Sequence, residues 1–165
     1  MKGQVRPPSF LFLDYDGTIT EKDTILSIME AFAPAEWVSL RDSVLSGEIS
    51  VRKGVGAMFA LLPSRLKGRI VRFAKKETRI RNGFSDFLKY CRRMKIDYKV
   101  ISGGLDFYLY PLLEDYLPRE KVFCNRANFS GDTIGIDWGF PCDPYCHLDC
   151  GFCKASLVRQ YDPAL

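Results

Sequence analysis

Residues 10–20 have the sequence FLFLDYDGTIT, and this segment sets the architecture expected of the whole 165-residue chain. Its first four residues form a short, continuous apolar run, which predicts a strand buried on both faces, as in parallel sheets. Asp14 and Asp16 follow at the carboxyl end of that strand, where open α/β sheets bind their ligands. The segment therefore predicts an α/β protein with a polar site at the carboxyl end of a parallel sheet.

The two carboxylates of this segment are candidates for chemistry. Their spacing of two residues puts both side chains on the same side of the strand end. Without a counter-charge they would repel each other, and one of them would take up a proton. A hard cation such as Mg²⁺ removes this conflict because it accepts oxygen ligands. We therefore predict Asp14 and Asp16 as Mg²⁺ ligands, with Gly17 allowing the tight turn that follows.

The composition is that of one folded domain, or of a core with an insertion. Hydrophobic residues make up 47% of the chain, which argues against disorder, and the net charge of +4 suits a small acidic substrate without requiring nucleic acid. No apolar run approaches the roughly 18 residues of a membrane span. Residues 1–9 form a loose leader that does not resemble a signal peptide. We expect a cytoplasmic protein whose six cysteines are thiols or metal ligands rather than disulfides.

Residues 21–82 show helical periodicity with no clear strand, which predicts a compact insertion of four helices. Thr20 is predicted as the N-cap of the first helix and Ser50 as the N-cap of the third. The insertion ends in a basic run: Arg65, Lys67, Arg69, Arg72, Lys75, Lys76, Arg79 and Arg81. Three interpretations of this run stay open. The run could be a solvated helix face, a source of long-range attraction for a phosphate ester, or a nucleic-acid-binding surface. The last interpretation is weakened because aromatic residues are not interleaved with the charges.

A second polar turn, Ser102-Gly103-Gly104, directly follows a strand predicted at residues 97–101. A hydroxyl at the end of a strand, followed by two glycines that expose backbone N–H groups, makes a small anion cradle. Beyond this turn, the pattern predicts a helix over residues 105–117, a short strand at residues 122–124, and a hairpin around Ser130-Gly131-Asp132.

Four of the six cysteines lie within twelve residues, and His147 lies among them. These four are Cys142, Cys146, Cys150 and Cys153. A Cys-x2-Cys pair with two further ligands forms tetrahedral zinc sites in proteins, although this spacing is not that of a standard zinc ribbon. Structural zinc, a redox pair and reduced thiols that brace a loop all remain open. A rigid clip here would also fix the direction of Lys154, which directly follows Cys153.

Three of these features, in this order, resemble the motifs of the haloacid dehalogenase-like phosphatases. They are Asp-x-Asp-Gly-Thr at residues 14–18, Ser102-Gly103 after a strand, and Lys154 at a helix start. The resemblance covers residues 9–162. It implies a three-layer Rossmann-like core with an incomplete parallel sheet, and a helical C1-type cap inserted after the first strand. The implied units are a core of residues 1–20 and 83–165 and a cap of residues 21–82.

The same resemblance implies a role for each motif residue in the hydrolysis of a phosphate monoester. Asp14 would be the nucleophile that forms an aspartyl-phosphate, and Asp16 would act as the general acid and base. Mg²⁺ would be held by the Asp14 carboxylate and the Asp16 backbone carbonyl. Lys154 would contact the nucleophile and the phosphoryl group. The residues implied to bind phosphate are Ser102, Gly103 and Thr18.

Because its helical insertion lies between the first two motifs, the chain resembles the branch of this family that includes phosphoserine phosphatases. The resemblance is closer to a branch that acts in methionine salvage. It is carried by residues 33–37, 54–59 and 100–107 and by the cysteines that lead into Lys154. The resemblance therefore implies a small phosphorylated metabolite as substrate.

The fourth motif of the family, a strand that ends in Gly-Asp-x-x-x-Asp, would follow the helix that begins at Lys154, and the chain ends at Leu165. That strand would pair beside residues 10–13, and without it an apolar strand would lie at an unprotected edge, which natural proteins avoid. We expect a fragment, a truncated gene product, or a chain completed by a homodimer or another partner. Two alternatives from other classes are a catalytically inactive, zinc-braced binding or regulatory module and a basic nucleic-acid binder.

Overall fold

The computed structural model describes residues 10–161, so the predicted leader at residues 1–9 lies outside the described residues. The described residues form one sheet in the order β1-β2-β3-β4. Its strands are β1 (Phe10–Asp14), β2 (Asp97–Leu105), β3 (Val122–Asn128) and β4 (Gly135–Asp137). The first three strands are parallel, and β4 is antiparallel to β3. The predicted α/β class is confirmed.

The α-helices of the described residues alternate with these strands or lie between the first two of them. They are α1 (Thr24–Phe32), α2 (Trp37–Leu45), α3 (Val51–Ala60), α4 (Lys67–Glu77), α5 (Phe84–Met94), α6 (Asp106–Leu113) and α7 (Lys154–Tyr161). Helices α1 to α4 are the four that the sequence predicts within residues 21–82. Within residues 10–161, every helix is too short or too polar to cross a membrane.

Side chains cover both faces of the sheet. Because consecutive strand residues point to opposite faces, Val100 and Ile101 of β2 enter two different apolar clusters. Val100 lies in the cluster that contains Leu88 of α5 and Leu109 of α6. Ile101 lies in the cluster that contains Leu157 of α7. Helices therefore pack on both sides of the sheet, which gives the three layers expected of the core.

Strand β1 is less buried than its sequence predicts. The apolar run predicts burial on both faces, but all five residues of the strand are only half-buried. The reason is that β1 lies at the edge of the described sheet and pairs with β2 alone. On one face, the ring of Tyr161 in α7 packs against Phe10 and Phe12, with centroid distances of 5.1 and 5.2 Å.

The caps of two helices test the local sequence signals. At the start of α1 the prediction is wrong, because Asp23 and not Thr20 is the N-cap. The N–H of Leu26 donates to Oδ1 of Asp23 at 2.9 Å. At the start of α3 the prediction is confirmed, since the hydroxyl of Ser50 accepts a hydrogen bond from the N–H of Lys53 at 3.2 Å.

Strand β2 continues further than predicted. The sequence predicts its end at Ile101, but the strand runs to Leu105. Its pairing with β3 shifts register between these two residues, so Ser102-Gly103-Gly104 lies in an irregular, bulged part of the strand. The predicted hairpin is confirmed, with Asn128 of β3 opposite Gly135 of β4.

Helices α2 and α3 cross closely at Gly54, which is buried. A Cβ atom at this position would overlap Cγ2 of Val44, a β-branched side chain with little freedom to move away. Gly68 in α4 is a matched contrast, because the nearest heavy atom to a Cβ there would be Nη1 of Arg72 at 3.6 Å.

We expect Gly54→Ala to destabilise the protein by about 1–3 kcal/mol, since it overfills the crossing of α2 and α3. The contrasting variant Gly68→Ala, at the second residue of α4, should stabilise the protein by up to about 0.5 kcal/mol, because alanine is favoured over glycine in a helix by about 1 kcal/mol in the interior and by less in the first turn. Urea unfolding of both variants measures the two changes in the free energy of unfolding. Stabilisation by both substitutions would show that the crossing at Gly54 is not tightly packed.

Candidate active site

A cavity of about 380 Å³ lies at the carboxyl end of β1. The predicted site residues Asp14, Asp16, Gly103 and Lys154 all line it. They belong to three segments that are far apart in the chain. The parallel pairing of β1 with β2, which sets Asp14 opposite Ile101, joins the first two segments. The structure therefore brings the three predicted motifs to one cavity.

Asp14 and Lys154 form an ion pair at this cavity. Nζ of Lys154 lies 2.6 Å from Oδ1 of Asp14, and the N–H of Tyr15 donates to the same oxygen at 2.8 Å. In the described part of the chain, both of these hydrogen bonds go to Oδ1, which leaves Oδ2 available to attack a substrate or to bind a cation. The two charged side chains are each 42% exposed, so a molecule in the cavity can reach them.

Asp16 is held against the start of α1. The N–H of Thr24 donates to Oδ1 of Asp16 at 2.8 Å, which fixes this carboxylate at the helix N-terminus. Burial, together with the negative charges of Asp23 and Asp14, raises the pKa of Asp16 to about 6. A carboxyl group with such a pKa keeps a proton closer to neutral pH than an ordinary aspartate does.

The turn after the second carboxylate is held by two residues to which the sequence analysis gave other roles. Gly17 adopts a φ of +71°, in the left-handed region that glycine tolerates. The buried hydroxyl of Thr20 accepts the N–H of Gly17 at 3.2 Å and donates to the carbonyl of Lys22 at 2.7 Å. The guanidinium of Arg81 donates to the carbonyls of Thr18 and Gly17 at 3.0 and 2.9 Å. No local signal marks Arg81, whose partners lie more than sixty residues earlier.

Thr18 does not lie with the other predicted phosphate-binding residues. Its side chain is exposed and lines a separate cavity together with Arg81 and Phe84. The positive φ of Gly17 turns the chain away from the cavity of Asp14 before Thr18 is reached.

Ser102 and Gly103 lie at the bulge of β2. Ser102 is completely buried, and its hydroxyl accepts the N–H of Gly104 at 3.0 Å. Gly103 lines the cavity, and a Cβ atom there would meet no other atom within 4 Å, so its backbone faces open space. Asn125 of β3 donates to the carbonyl of Gly103 at 3.3 Å and steadies this backbone. The arrangement leaves room for an anion beside Gly103.

Helices α1, α2 and α3 provide an apolar wall to the cavity. The wall residues are Ile25, Leu26, Val44, Leu45, Val51, Val55 and Met58, and Trp138 also lines the cavity. Leu26, Leu45 and Val51 are large apolar side chains with exposed fractions of 38%, 77% and 46%. Apolar side chains that remain exposed together at a cavity are typical of a ligand-binding surface. The sequence patterns single out none of these residues as part of a site, because only the packing of three helices brings them together.

Among the described residues, few charged side chains line this cavity. Besides Asp14 and Asp16, Asp23 is the remaining acidic residue, and the cations are Lys154 and Arg41. The guanidinium of Arg41 is already engaged, 2.8 Å from Asp42 and 5.2 Å above the ring of Trp37. None of the eight residues of the basic run lines this cavity, and all eight are exposed.

The four clustered cysteines, called here the cysteine cluster, lie directly before α7. They are Cys142, Cys146, Cys150 and Cys153, and their Sγ atoms all lie within 4.8 Å of one another. Such a group could hold a metal ion, and His147 is not part of it. Although burial works against ionisation, hydrogen bonds from Ser156 lower the pKa of Cys153 to about 7. Cys150 also lines the cavity of Asp14, so the cluster borders the candidate active site.

The family model for haloacid dehalogenase-like hydrolases matches residues 11–147 of this chain. Two similar proteins are both named 2-hydroxy-3-keto-5-methylthiopentenyl-1-phosphate phosphatase. The protein of Geobacillus kaustophilus is 51% identical over 150 residues, which cover 91% of this chain and 68% of that protein. The protein of Brevibacillus brevis is 48% identical over 155 residues, which cover 93% of this chain and 70% of that protein.

Solved structures show the same fold at low sequence identity. A phosphoserine phosphohydrolase-like protein from Francisella tularensis has a TM-score of 0.66 at 18% identity, covering 96% of this chain and 74% of its own. The phosphoserine phosphatase from T. onnurineus has a TM-score of 0.64 at 20% identity, covering 85% of this chain and 68% of its own. At these identities the likeness concerns the fold alone.

Proposed function

Because this chain belongs to the haloacid dehalogenase-like hydrolases, we propose that it cleaves a phosphate monoester through a covalent aspartyl-phosphate on Asp14. The observation that carries the proposal is the position of Lys154, whose Nζ lies 2.6 Å from Oδ1 of Asp14 in the cavity that Asp16 also lines. A nucleophile, a second carboxyl group and a cation thus meet where one phosphoryl group can contact all three. These are the parts that a covalent phosphoryl transfer requires.

In the first half of the reaction, a carboxylate oxygen of Asp14 attacks the phosphorus atom. The bond from phosphorus to the substrate oxygen breaks, and the leaving oxygen takes a proton from Asp16. In the second half, Asp16 removes a proton from water, and the water oxygen attacks the phosphorus of the aspartyl-phosphate. The bond to Asp14 breaks, inorganic phosphate leaves, and both carboxyl groups return to their starting states.

Two further groups that line the cavity stabilise charge on the phosphoryl oxygens. The ammonium of Lys154 lies beside the nucleophile and faces the charge that develops in the transition state. The open backbone at Gly103 also lines the cavity. Ser102 does not line it, and its completely buried hydroxyl accepts the N–H of Gly104, so Ser102 supports the bulge that positions Gly103. Preorganised donors of this kind need no rearrangement when the charge forms.

The donor set at the carboxyl end of β1 fits Mg²⁺. Three carboxylates, those of Asp14, Asp16 and Asp23, line the cavity, and hard oxygen atoms are the ligands that Mg²⁺ prefers. The residues that would hold the ion are Asp14 through its carboxylate and Asp16 through its backbone carbonyl. When bound, Mg²⁺ supplies charge that offsets the repulsion between the anionic nucleophile and the anionic phosphate.

The apolar wall supports a substrate with an apolar tail. A phosphoserine substrate would bring an ammonium and a carboxylate against Val44, Leu45 and Val55, and burying unpaired charges on an apolar surface is costly. A methylthio tail would bury apolar area there instead. The name of the two similar bacterial proteins gives such a substrate, 2-hydroxy-3-keto-5-methylthiopentenyl-1-phosphate. We therefore favour this compound, from methionine salvage, over phosphoserine.

One assay tests both the reaction and the substrate. Phosphate release is measured from an aryl phosphate, from phosphoserine and from 2-hydroxy-3-keto-5-methylthiopentenyl-1-phosphate, each with Mg²⁺ and with EDTA. We expect phosphate release in the presence of Mg²⁺ and none with EDTA. We also expect kcat/KM to be at least roughly tenfold higher for the methylthio compound than for phosphoserine, because one buried apolar group has about that effect. A preference for phosphoserine would overturn the substrate assignment. Absence of release from folded protein would overturn the activity and favour an inactive binding module.

A further inference from the structure

We propose that the cysteine cluster binds one structural Zn²⁺ as a tetrathiolate, and that this ion holds the segment between β4 and α7 in the shape that delivers Lys154 to Asp14. The zinc site stands on geometry alone. Its effect on Lys154 rests on the proposed function, in which that residue contacts the phosphoryl group.

The arrangement of the sulfur atoms is that of a metal site. All four Sγ atoms lie within 4.8 Å of one another, and those of Cys146 and Cys150 are 3.7 Å apart. A Zn–S bond of about 2.3 Å in a tetrahedral site corresponds to sulfur atoms about 3.8 Å apart. A disulfide would require about 2.0 Å between two sulfurs and would leave the other two outside the bond. Four sulfurs around one common point therefore indicate a metal rather than a redox pair.

Donors to these sulfur atoms are already in place. The N–H of Cys150 donates to Sγ of Cys142 at 3.4 Å. The N–H and the hydroxyl of Ser156 donate to Sγ of Cys153 at 3.4 and 2.9 Å. A tetrathiolate with Zn²⁺ carries net negative charge, and hydrogen bonds from the surrounding residues offset that charge and orient the ligands.

The segment that carries the cluster lacks a helix or a ladder-forming strand within residues 138–153. It is nevertheless joined to both sides of the cavity. At one end, Cys153 directly precedes Lys154 and α7. In the middle, the hydroxyl of Ser50 donates to Asp149 at 2.6 Å, and the N–H of Arg52 donates to the carbonyl of Asp149 at 3.1 Å. An irregular segment with these contacts gains most from a metal, because structural zinc contributes its binding energy to folding.

This connection gives the ion two effects. It fixes the start of α7, and thereby the position from which Lys154 reaches Asp14. It also keeps Asp149 against the N-terminus of α3, the helix that supplies Val51 and Val55 to the cavity wall. A zinc-braced segment would thus tie the catalytic lysine and the substrate wall to one rigid support.

The first test measures metal content in the full chain, purified under reducing conditions without a metal-affinity column. We expect about one Zn²⁺ per chain, the stoichiometry of a four-cysteine site. Replacement by Co²⁺ should give the visible absorption of a tetrahedral, sulfur-ligated cobalt ion. Less than roughly 0.1 Zn²⁺ per chain in folded protein that does not take up added Zn²⁺ would overturn the proposal. A native disulfide between Cys146 and Cys150 would do the same and would favour the redox interpretation.

A variant pair then assigns the ligands. Cys146→Ser should weaken the zinc affinity at least roughly tenfold, measured by competition with a chelator of known affinity, because loss of groups that support a metal site already costs about 10–100-fold in affinity. Cys91→Ala, at a buried cysteine in α5 outside the cluster, should keep its zinc. Hydrogen exchange measures the consequence. Removal of zinc by a chelator should raise exchange at the start of α7 and at Arg52, and not in β2.

These outcomes separate the zinc site from the proposed reaction. Protein that is active without zinc would overturn the zinc proposal and support the phosphatase activity. Protein that contains zinc but is inactive would support the zinc site and overturn the phosphatase activity. If zinc is present but its removal leaves exchange at the start of α7 unchanged, the claim that the ion supports Lys154 is wrong.

Discussion

Asp14→Asn is expected to lower phosphate release by at least about 10⁴-fold while the chain stays folded, because an amide cannot act as the nucleophile. Asparagine keeps the size of the side chain and an oxygen that can accept the N–H of Tyr15, which lies 2.8 Å away in the native protein. What it loses is the negative charge that attacks phosphorus and pairs with Lys154. The loss should therefore appear in kcat and not in the free energy of unfolding.

The measurement compares steady-state phosphate release by the wild-type chain and by Asp14→Asn, with urea unfolding of both. Asp86→Asn is the matched control, since Asp86 is an exposed residue of α5 that pairs with Lys89 and does not line the cavity. The control should retain wild-type activity. Rapid acid quench should also trap phosphate on the wild-type peptide that contains Asp14. An Asp14→Asn variant with more than a tenth of wild-type activity would remove Asp14 as the nucleophile.

Lys154→Met is expected to lower kcat by roughly 10²–10³-fold, the usual cost of removing one preorganised group that stabilises charge in the transition state. Methionine keeps an apolar stem of similar length, so packing at the start of α7 should survive. The ammonium, 2.6 Å from Asp14, would be gone. Charge on the phosphoryl oxygens would then lack the cation that lies beside the nucleophile.

Lys89→Met is the control for Lys154→Met, because Lys89 is an exposed lysine whose partner, Asp86, lies on the same helix. It should leave kcat and KM unchanged. The zinc content of Lys154→Met should equal that of the wild-type protein, which separates a lost cation from a disturbed cysteine cluster. Equal kcat values for Lys154→Met and wild type would show that this lysine is structural.

The sequence was sufficient for the family and the class of fold. Membership of the haloacid dehalogenase-like hydrolases, predicted from residues 14–18, Ser102-Gly103 and Lys154, is confirmed by the family model and by the similar bacterial proteins. The four helices of residues 21–82 and the hairpin of β3 and β4 were also predictable. Helical periodicity, strand alternation and turn residues act over a few neighbouring positions, so a local pattern contains them.

The sequence predicted the structure less well where one residue type suits more than one local structure. Thr20 has the side chain of an N-cap, but its hydroxyl closes the turn with Gly17, and Asp23 caps the helix three residues later. The apolar run of β1 predicts burial on both faces, yet the strand is only half-buried at the edge of the described sheet, a position that the resemblance to the family implies. In both cases the residue types were correctly interpreted, and the surroundings chose between structures that those types equally allow.

The remaining features depend on contacts between segments far apart in the chain. Arg81 holds the carbonyls of Gly17 and Thr18, and Lys154 reaches Asp14 across 140 residues of sequence. The apolar wall of the cavity also depends on such contacts, because three different helices contribute to it. Local patterns state which chemistry a residue can perform, because that chemistry is a property of its side chain. Which atoms meet depends on how the helices and strands pack, since packing sums many weak contacts over the whole molecule.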